Sequence, residues 1–224
     1  MTSFPVSVRT LAPAITAGLL TVSLLPARAA TVELISNGGF ESGLTGWNSS
    51  LNVLALDTYF GLSPASGNSM AVVPAAGFLD AHLEQSIDTT SAVSATLTFD
   101  WRLAAVDITR IVETGTDSLT LSVGGQSLFT RSLNDVWDSS LNATTTAWET
   151  ESIVLPTALL NNGPLSIRFE VENFSPGGGD PGQNFVAFVD NVSVQAVVPE
   201  VSSVAPFLAA CGIGFWIRRR LVRG

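Results

Sequence analysis

Carboxylates dominate the side chains of this 224-residue chain that could do chemistry. Lysine is absent, His82 is the one histidine, and Cys211 is the one cysteine. Lysine-based Schiff-base chemistry is therefore excluded, and so is a zinc site built from several histidine or cysteine ligands. Two carboxylates would suffice for a glycosidase, but no pair of acids stands out by its spacing. The residue types therefore predict a protein that is not an enzyme.

The charge of the central region limits its partners. Residues 31–198 carry 18 Asp and Glu side chains against four Arg side chains, a formal charge of −14. Such a surface repels nucleic acid and anionic lipid, and it tolerates divalent cations. We therefore expect no nucleic-acid partner.

Alternation of apolar and polar residues runs through the middle of the chain. In "LTFDWRL" (97–103) and "LSIRFEVE" (165–172) every second residue is apolar, which is typical of strands with one wet face. Glycine- and proline-rich turns separate such runs, and no long stretch has a helical period. The pattern predicts an all-β fold, an antiparallel β-sandwich of jelly-roll type over residues 30–197. Ten strands are predicted, near 31–36, 53–59, 69–73, 78–88, 94–107, 117–123, 126–132, 147–155, 164–172 and 184–196.

The segment "NGGF" near the start of this region predicts a tight turn. Gly38 and Gly39 would permit the positive φ angles that such a turn needs. Phe40 and the following Trp47 are large apolar side chains, for which we predict a place in the core rather than against a sugar.

Asp190 is unusual because it shares a parity with Phe188, Val192 and Val194 in "FVAFVDNVSV". A carboxylate on an inward face must accept hydrogen bonds or bind a cation. Backbone N–H donors of the "NGGF" turn and a bound metal ion are therefore both open as its partners.

Two motifs together resemble a known family. "ELISNGGFESGLTGW" (33–47) and "FVAFVDNVSV" (185–194) are similar to the first and last elements of galactose-binding-like jelly rolls, the fold of many carbohydrate-binding modules. The resemblance implies a structural Ca²⁺ between the first and last strands, with Glu41 and Asp190 as ligands. It also implies glycan binding, for which the chain offers four aromatic platforms, Tyr59, Phe60, Trp137 and Trp148.

The N-terminus has the features of a secretory signal. Arg9 precedes an apolar run from Leu11 to Leu25, and Ala27-Arg28-Ala29 has the small-x-small pattern of a signal peptidase site. We predict a signal peptide over residues 1–29, with an uncleaved membrane anchor as the alternative.

The C-terminus combines a short motif, an apolar run and a basic end. Val198-Pro199-Glu200 opens the motif (198–203), an apolar transmembrane helix is predicted at 204–217, and a basic cluster occupies 218–223. That cluster, which would stay on the cytoplasmic side of the membrane, consists of Arg218, Arg219, Arg220 and Arg223.

This arrangement resembles the PEP-CTERM sorting signal of Gram-negative bacteria, although Val201 stands where the second proline is expected. The resemblance implies an exosortase as the processing enzyme, and it implies an association with exopolysaccharide. The chain is then an inner-membrane precursor that is released to the cell surface or the extracellular matrix. The alternatives are a permanently anchored structural or adhesive protein and a carbohydrate-active enzyme.

Overall fold

Eleven strands in two antiparallel sheets make up the computed structural model, which describes residues 29–74, 81–105, 118–132, 135, 145–172 and 185–200. The strands are β1 Ala29–Glu33, β2 Asn48–Ser49, β3 Leu54–Leu56, β4 Met70–Pro74, β5 Ala81–Asp88, β6 Ser94–Ala105, β7 Ser118–Val123, β8 Gln126–Ser132, β9 Glu149–Val154, β10 Pro164–Glu172 and β11 Phe185–Pro199. A 3₁₀ turn spans Thr157–Leu159. The all-β prediction is confirmed.

The six-stranded sheet is built around β11. Its strand order is β3-β4-β11-β6-β9, and β1 pairs with the far end of β11. The five-stranded sheet has the order β2-β5-β10-β7-β8. Both sheets consist of antiparallel pairs only, so each strand can present one face to the opposite sheet.

Aromatic rings fill the space between the sheets. Phe99 of β6 contacts Phe169 of β10 and Phe129 of β8 at centroid distances of 5.1 and 5.3 Å, and the ring of Trp101 lies 5.4 Å from Phe129. The predicted inward positions of these strands are therefore buried across both sheets, as a sandwich core requires. Phe40 and Trp47 lie in this core as predicted, with ring centroids 5.4 Å apart.

A β-bulge in β11 makes the parity prediction for Asp190 wrong. The register with β6 shifts between Asp190 and Ser193, and Asn191 has a φ of 49°. Because the bulge adds a residue, the strand changes face there. Val192 and Val194 point into the core between the sheets, whereas Phe188 belongs to a second apolar cluster on the outer face of the six-stranded sheet. Asp190 lies on that outer face, where it is nevertheless fully buried because residues of the loop before β4 lie over it.

The "NGGF" turn fits into the bulge. The amide of Val192 donates to the carbonyl oxygen of Gly38 at 3.0 Å. Our prediction that Gly38 and Gly39 supply positive φ angles is wrong, because Asn37 and Phe40 supply them, at 53° and 57°. Gly38 is required for space instead: a Cβ there would lie 1.8 Å from the carbonyl oxygen of Val192.

Both ends of the folded part exceed the predicted bounds of 30 and 197. β1 begins at Ala29, and β11 continues to Pro199. The short strand β2 is an addition to the ten predicted strands.

The rest of the predicted signal peptide and the C-terminal apolar and basic segments lie outside the described residues. Within the described ranges, no helix has the length and apolar character needed to cross a lipid bilayer.

The close approach of Gly38 to β11 gives a testable pair of variants. We expect Gly38→Ala to lower the free energy of unfolding by about 2–3 kcal/mol, because the methyl group forces the turn away from the bulge. Gly39→Ala is the matched control, since its Cβ would meet nothing nearer than 3.9 Å. Urea unfolding followed by tryptophan fluorescence measures both, and equal effects would show that the turn does not depend on this contact.

Candidate functional site

The loop 57–69, named here the clamped loop, covers the outer face of the six-stranded sheet. Beneath it lies the second apolar cluster, which includes Met70, Val72 and Phe188. Tyr59 and Leu62 of the loop pack on this cluster. The alternation of apolar and polar residues had predicted a solvent-exposed outer face for this sheet. Part of that face is instead apolar, and the clamped loop covers it.

The tip of the clamped loop is a two-residue hairpin. Tyr59 and Leu62 exchange both backbone hydrogen bonds, at 3.0 and 2.9 Å. The two central residues, Phe60 and Gly61, both have positive φ, at 51° and 76°. Phe60 is 65% exposed, and its ring meets the ring of Tyr59 edge-on at 4.4 Å. Of the three predicted platforms among the described residues, Phe60 is thus the exposed one.

Trp148 is already engaged by the protein. Its indole Nε1 donates to the carbonyl oxygen of Ser63 at 3.0 Å, and its ring packs on Phe188. The guanidinium of Arg102 lies 5.6 Å from the centre of the same ring, and burial lowers the pKa of Arg102. Trp148 therefore holds the clamped loop on the sheet. Trp137, the fourth predicted platform, lies outside the described residues.

Glu41 holds the end of the clamped loop. One carboxylate oxygen accepts the backbone N–H groups of Asn68 and Ser69 at 2.7 and 3.1 Å, and the other accepts the side-chain amide of Asn68 at 3.3 Å. The hydrogen bond from the Asn68 backbone is the main reason that the pKa of Glu41 is lowered.

Asp190 holds the middle of the same loop from below. Its Oδ2 accepts the backbone N–H groups of Ala65 and Ser66 at 3.0 and 3.1 Å, and its Oδ1 accepts the amide of Asn191 at 2.7 Å. Burial raises the pKa of Asp190, and the nearby carboxylate of Asp100 raises it further. The three backbone hydrogen bonds lower this pKa and offset the rise in part. The donors include N–H groups of the clamped loop and not those of the "NGGF" turn, which was one of the two partners left open by the sequence.

The two predicted calcium ligands, Glu41 and Asp190, therefore bind backbone amides of the same loop. Their oxygens already accept N–H groups, so the loop is held by hydrogen bonds in the arrangement described. In the described part of the chain, no three His, Cys, Asp or Glu side chains are grouped so that they could hold a metal ion. Any Ca²⁺ here would need backbone carbonyl oxygens to complete its shell of six to eight ligands.

The outer face of the five-stranded sheet is polar and carries the most conspicuous charged cluster. Arg168 contacts Glu84 at 3.3 Å and Glu170 at 2.6 Å. The hydroxyl of Ser166 donates to Glu84, and this bond, more than Arg168, lowers the pKa of Glu84. Glu84 is thus held ionised, which suits an ion pair and does not suit a general acid. His82 lies on the same face, where its backbone is paired with Glu170.

The sorting motif is partly built into the sheet. Val198 and Pro199 are the last residues of β11 and pair with Ala30 and Ala29. Glu200 follows the strand and is exposed. The arginine cluster 218–223 lies outside the described residues.

Comparison with known proteins finds similarity in structure alone. No family model matches the chain, and no curated protein matches it. Similar solved structures include TmCBM61 in complex with β-1,4-galactotriose, with 15% identity, 73% of this chain and 97% of that chain covered, and a TM-score of 0.46. Another is the CBM22-1 xylan-binding domain from Paenibacillus barcinonensis, with 12% identity, 78% and 100% covered, and a TM-score of 0.41. The K2 cleaved adhesin domain of Lys-gingipain has 14% identity, 75% and 97% covered, and a TM-score of 0.43. At such values the ligand of this chain has to be argued from its own residues.

The hydrogen bonds of Asp190 predict a large cost for its removal. We expect Asp190→Ala to lower the free energy of unfolding by about 3 kcal/mol, because three N–H groups lose their acceptor in a covered position. The exposed Asp57 lies in the same loop, and Asp57→Ala should change stability by less than about 0.5 kcal/mol. Thermal and urea unfolding of both variants measure the difference, and similar small effects would mean that Asp190 does not hold the loop.

Proposed function

We propose that this chain is an exported, non-catalytic β-sandwich protein that binds glycan at the tip of the clamped loop and is sorted to the cell surface or matrix through its C-terminal signal. The observation that carries the glycan part is the exposed Phe60 ring on a hairpin with an unfavourable backbone conformation. The sorting part rests on the sequence of the two termini.

The backbone at Phe60 is costly for folding. A two-residue hairpin with positive φ at both central positions favours Asn, Asp or Gly at the first of them. A phenylalanine there costs about 1–2 kcal/mol relative to the ordinary regions of the backbone. Its ring is 65% exposed, so packing offsets little of that cost. Strain at an exposed aromatic residue is understandable when the ring contacts a ligand.

The surroundings of Phe60 suit an uncharged sugar. Aromatic faces bind the apolar C–H faces of sugar rings, and the Tyr59 ring fixes the Phe60 ring from the side at 4.4 Å. Glu41 and Asp190 hold the loop that carries the hairpin, so the ring is presented by a fixed support. The formal charge of −14 over residues 31–198 disfavours polyanionic ligands, and a neutral glycan is therefore the ligand class that we propose.

The partners of four carboxylates support a non-catalytic role. Glu84 and Glu170 are tied to Arg168, and Asp190 and Glu41 are tied to backbone amides. The one histidine, His82, lies on the polar outer face of the five-stranded sheet, where its backbone pairs with Glu170.

A single substitution at Phe60 should separate binding from stability. We expect Phe60→Asn to raise the free energy of unfolding by about 0.5–1 kcal/mol, because asparagine tolerates positive φ. The same variant should lose affinity for a neutral glycan by about tenfold or more, because the stacking ring is gone. A glycan array with the full-length chain in lipid nanodiscs, followed by calorimetry on the best ligand, measures affinity.

Leu51→Asn is the matched control, since Leu51 is fully exposed on another loop. It should leave glycan affinity unchanged. Equal affinities of wild type and Phe60→Asn would reject the tip as the glycan site, and the absence of any glycan ligand for the wild type would reject glycan binding as a whole.

Calcium is a further part of the proposal, supported by the convergence of Glu41 and Asp190 on one loop. We expect Ca²⁺ to raise the melting temperature of the wild type and EGTA to reverse the rise, since an ion that binds only the folded state stabilises it. Glu41→Gln should abolish the rise. An unchanged melting temperature with EGTA would reject the bound Ca²⁺, and the loop would then be held by hydrogen bonds alone.

Sorting is tested by the C-terminus of the protein in its host. Mass spectrometry should find chains that end near Pro199 to Ser203 in the surface or medium fraction. Intact chains with all four terminal arginines in the membrane fraction would instead support the permanent anchor.

A further inference from the structure

The predicted cleavage point of the signal peptide and the first residues of the sorting motif are partners in one strand pair. Ala29, the last residue of the predicted signal, pairs with Pro199, and Ala30, the first residue that remains after the predicted cleavage, pairs with Val198. The pair that persists after that cleavage joins positions 168 residues apart in sequence (30 and 198).

The hydrogen-bond parity of this pair can be derived from its neighbours. The amide of Leu34 donates to the carbonyl oxygen of Val194, and the carbonyl oxygen of Val197 faces the other way and accepts the amide of Val93. Hydrogen-bonded and non-bonded pairs alternate in an antiparallel ladder, so Val198, four residues after Val194, also directs its N–H and C=O groups towards β1. Val198 and Ala30 therefore form a hydrogen-bonded pair. Pro199 falls in a non-bonded pair, where its missing N–H costs the ladder nothing.

The chain leaves little free length between the sheet and the apolar segment. β11 ends at Pro199, and the predicted apolar helix begins at Val204, so four residues (200–203) separate them. A protease that must hold several extended residues of the motif cannot do so while Val198 and Pro199 are part of the sheet.

β1 is the weakest element that could release them. It pairs with β11 alone, over five residues, and four of those five side chains are exposed. Strands with few buried contacts open locally at a small fraction of the global stability.

We propose that β1 is a latch over the sorting motif: a protease can take up the backbone of Val198, Pro199 and Glu200 in extended form only when the end of β1 separates from β11. This inference rests on the proposed sorting function for its biological meaning, and its physical content can be tested without the sorting enzyme.

The first test uses a glutamyl endopeptidase as the probe, which cuts after Glu200. All proteins carry Cys211→Ser and are full-length chains in nanodiscs. Thr31→Cys with Val197→Cys places a disulfide in a non-bonded pair, where Cα atoms lie about 4.5 Å apart. We expect the oxidised form to be cut after Glu200 at least about tenfold more slowly than the same protein after reduction, because cleavage follows the open population.

A pair of proline variants tests the effect of weakening the pairing between β1 and β11. Val32 pairs with Ala196 in a bonded pair, so Val32→Pro removes a ladder hydrogen bond, whereas the amide of Thr31 points away from β11 and Thr31→Pro removes none. We expect Val32→Pro to be cut after Glu200 several-fold faster than Thr31→Pro, with equal melting temperatures of the rest of the domain. Equal cutting of oxidised and reduced protein, or of the two proline variants, would overturn the latch.

The same variants, expressed in the host, separate the latch from the sorting proposal. If both hold, the locked chain accumulates uncut while the wild type is processed. A wild type that keeps its full C-terminus rejects sorting, while the endopeptidase result still decides the latch. A locked chain that is processed as fast as the wild type rejects the latch alone.

Discussion

The bulge of β11 at Asn191 and Val192 is the constraint on which the rest of the domain depends. It turns one strand from the outer face of its sheet to the core, so that residues before and after it serve different parts of the molecule. On the core side, Val192 receives the turn around Gly38. On the outer side, Asp190 receives the clamped loop. A slip of one residue in this strand would expose the apolar residues that follow and remove the acceptor beneath the loop.

A few polar contacts hold the clamped loop over the outer face of the six-stranded sheet. Asp190 binds backbone amides of the loop, and its neighbour Asn191 joins the loop to the sheet: its side-chain Oδ1 accepts the hydroxyl of Ser66, and its side-chain Nδ2 donates to Asp100. Together with Glu41 they fix a loop that contains little regular structure of its own. The strained hairpin at its tip is thus supported through residues 65–69 of the loop.

Much of the architecture follows from short-range pattern. Period-two alternation predicts the long strands β5, β6, β7, β8 and β10 closely, because each has one face against the other sheet. The size of Phe40 and Trp47 predicts their burial. These features depend on residues within a few positions of one another, so the sequence is sufficient to derive them.

What the sequence did not reveal depends on contacts between distant segments. The bulge in β11 receives a turn at Gly38, 154 residues before Val192, and the alternation within one strand does not reveal that contact, so Asp190 was predicted on the wrong face. In the "NGGF" turn the positive φ angles fall on Asn37 and Phe40, whereas Gly38 and Gly39 were expected to carry them. The role of Gly38 as a spacer could be recognised only from the carbonyl oxygen that faces it.

The length and position of β11 also determine how the domain would carry a pulling force. The strand is roughly 50 Å long at the usual rise per residue. It pairs with β6 from Phe185 to Val197. A load applied between Ala105, at the end of β6, and Val198 acts at opposite ends of this ladder and runs along its strands. It then shears the ladder, so many hydrogen bonds must break together. A load between Ala30 and Val198 acts at one end of the β1–β11 pair and opens its hydrogen bonds one after another. The same strand therefore resists a pull along its axis and yields at the end that it shares with β1, a mechanical asymmetry set by where its two partners lie.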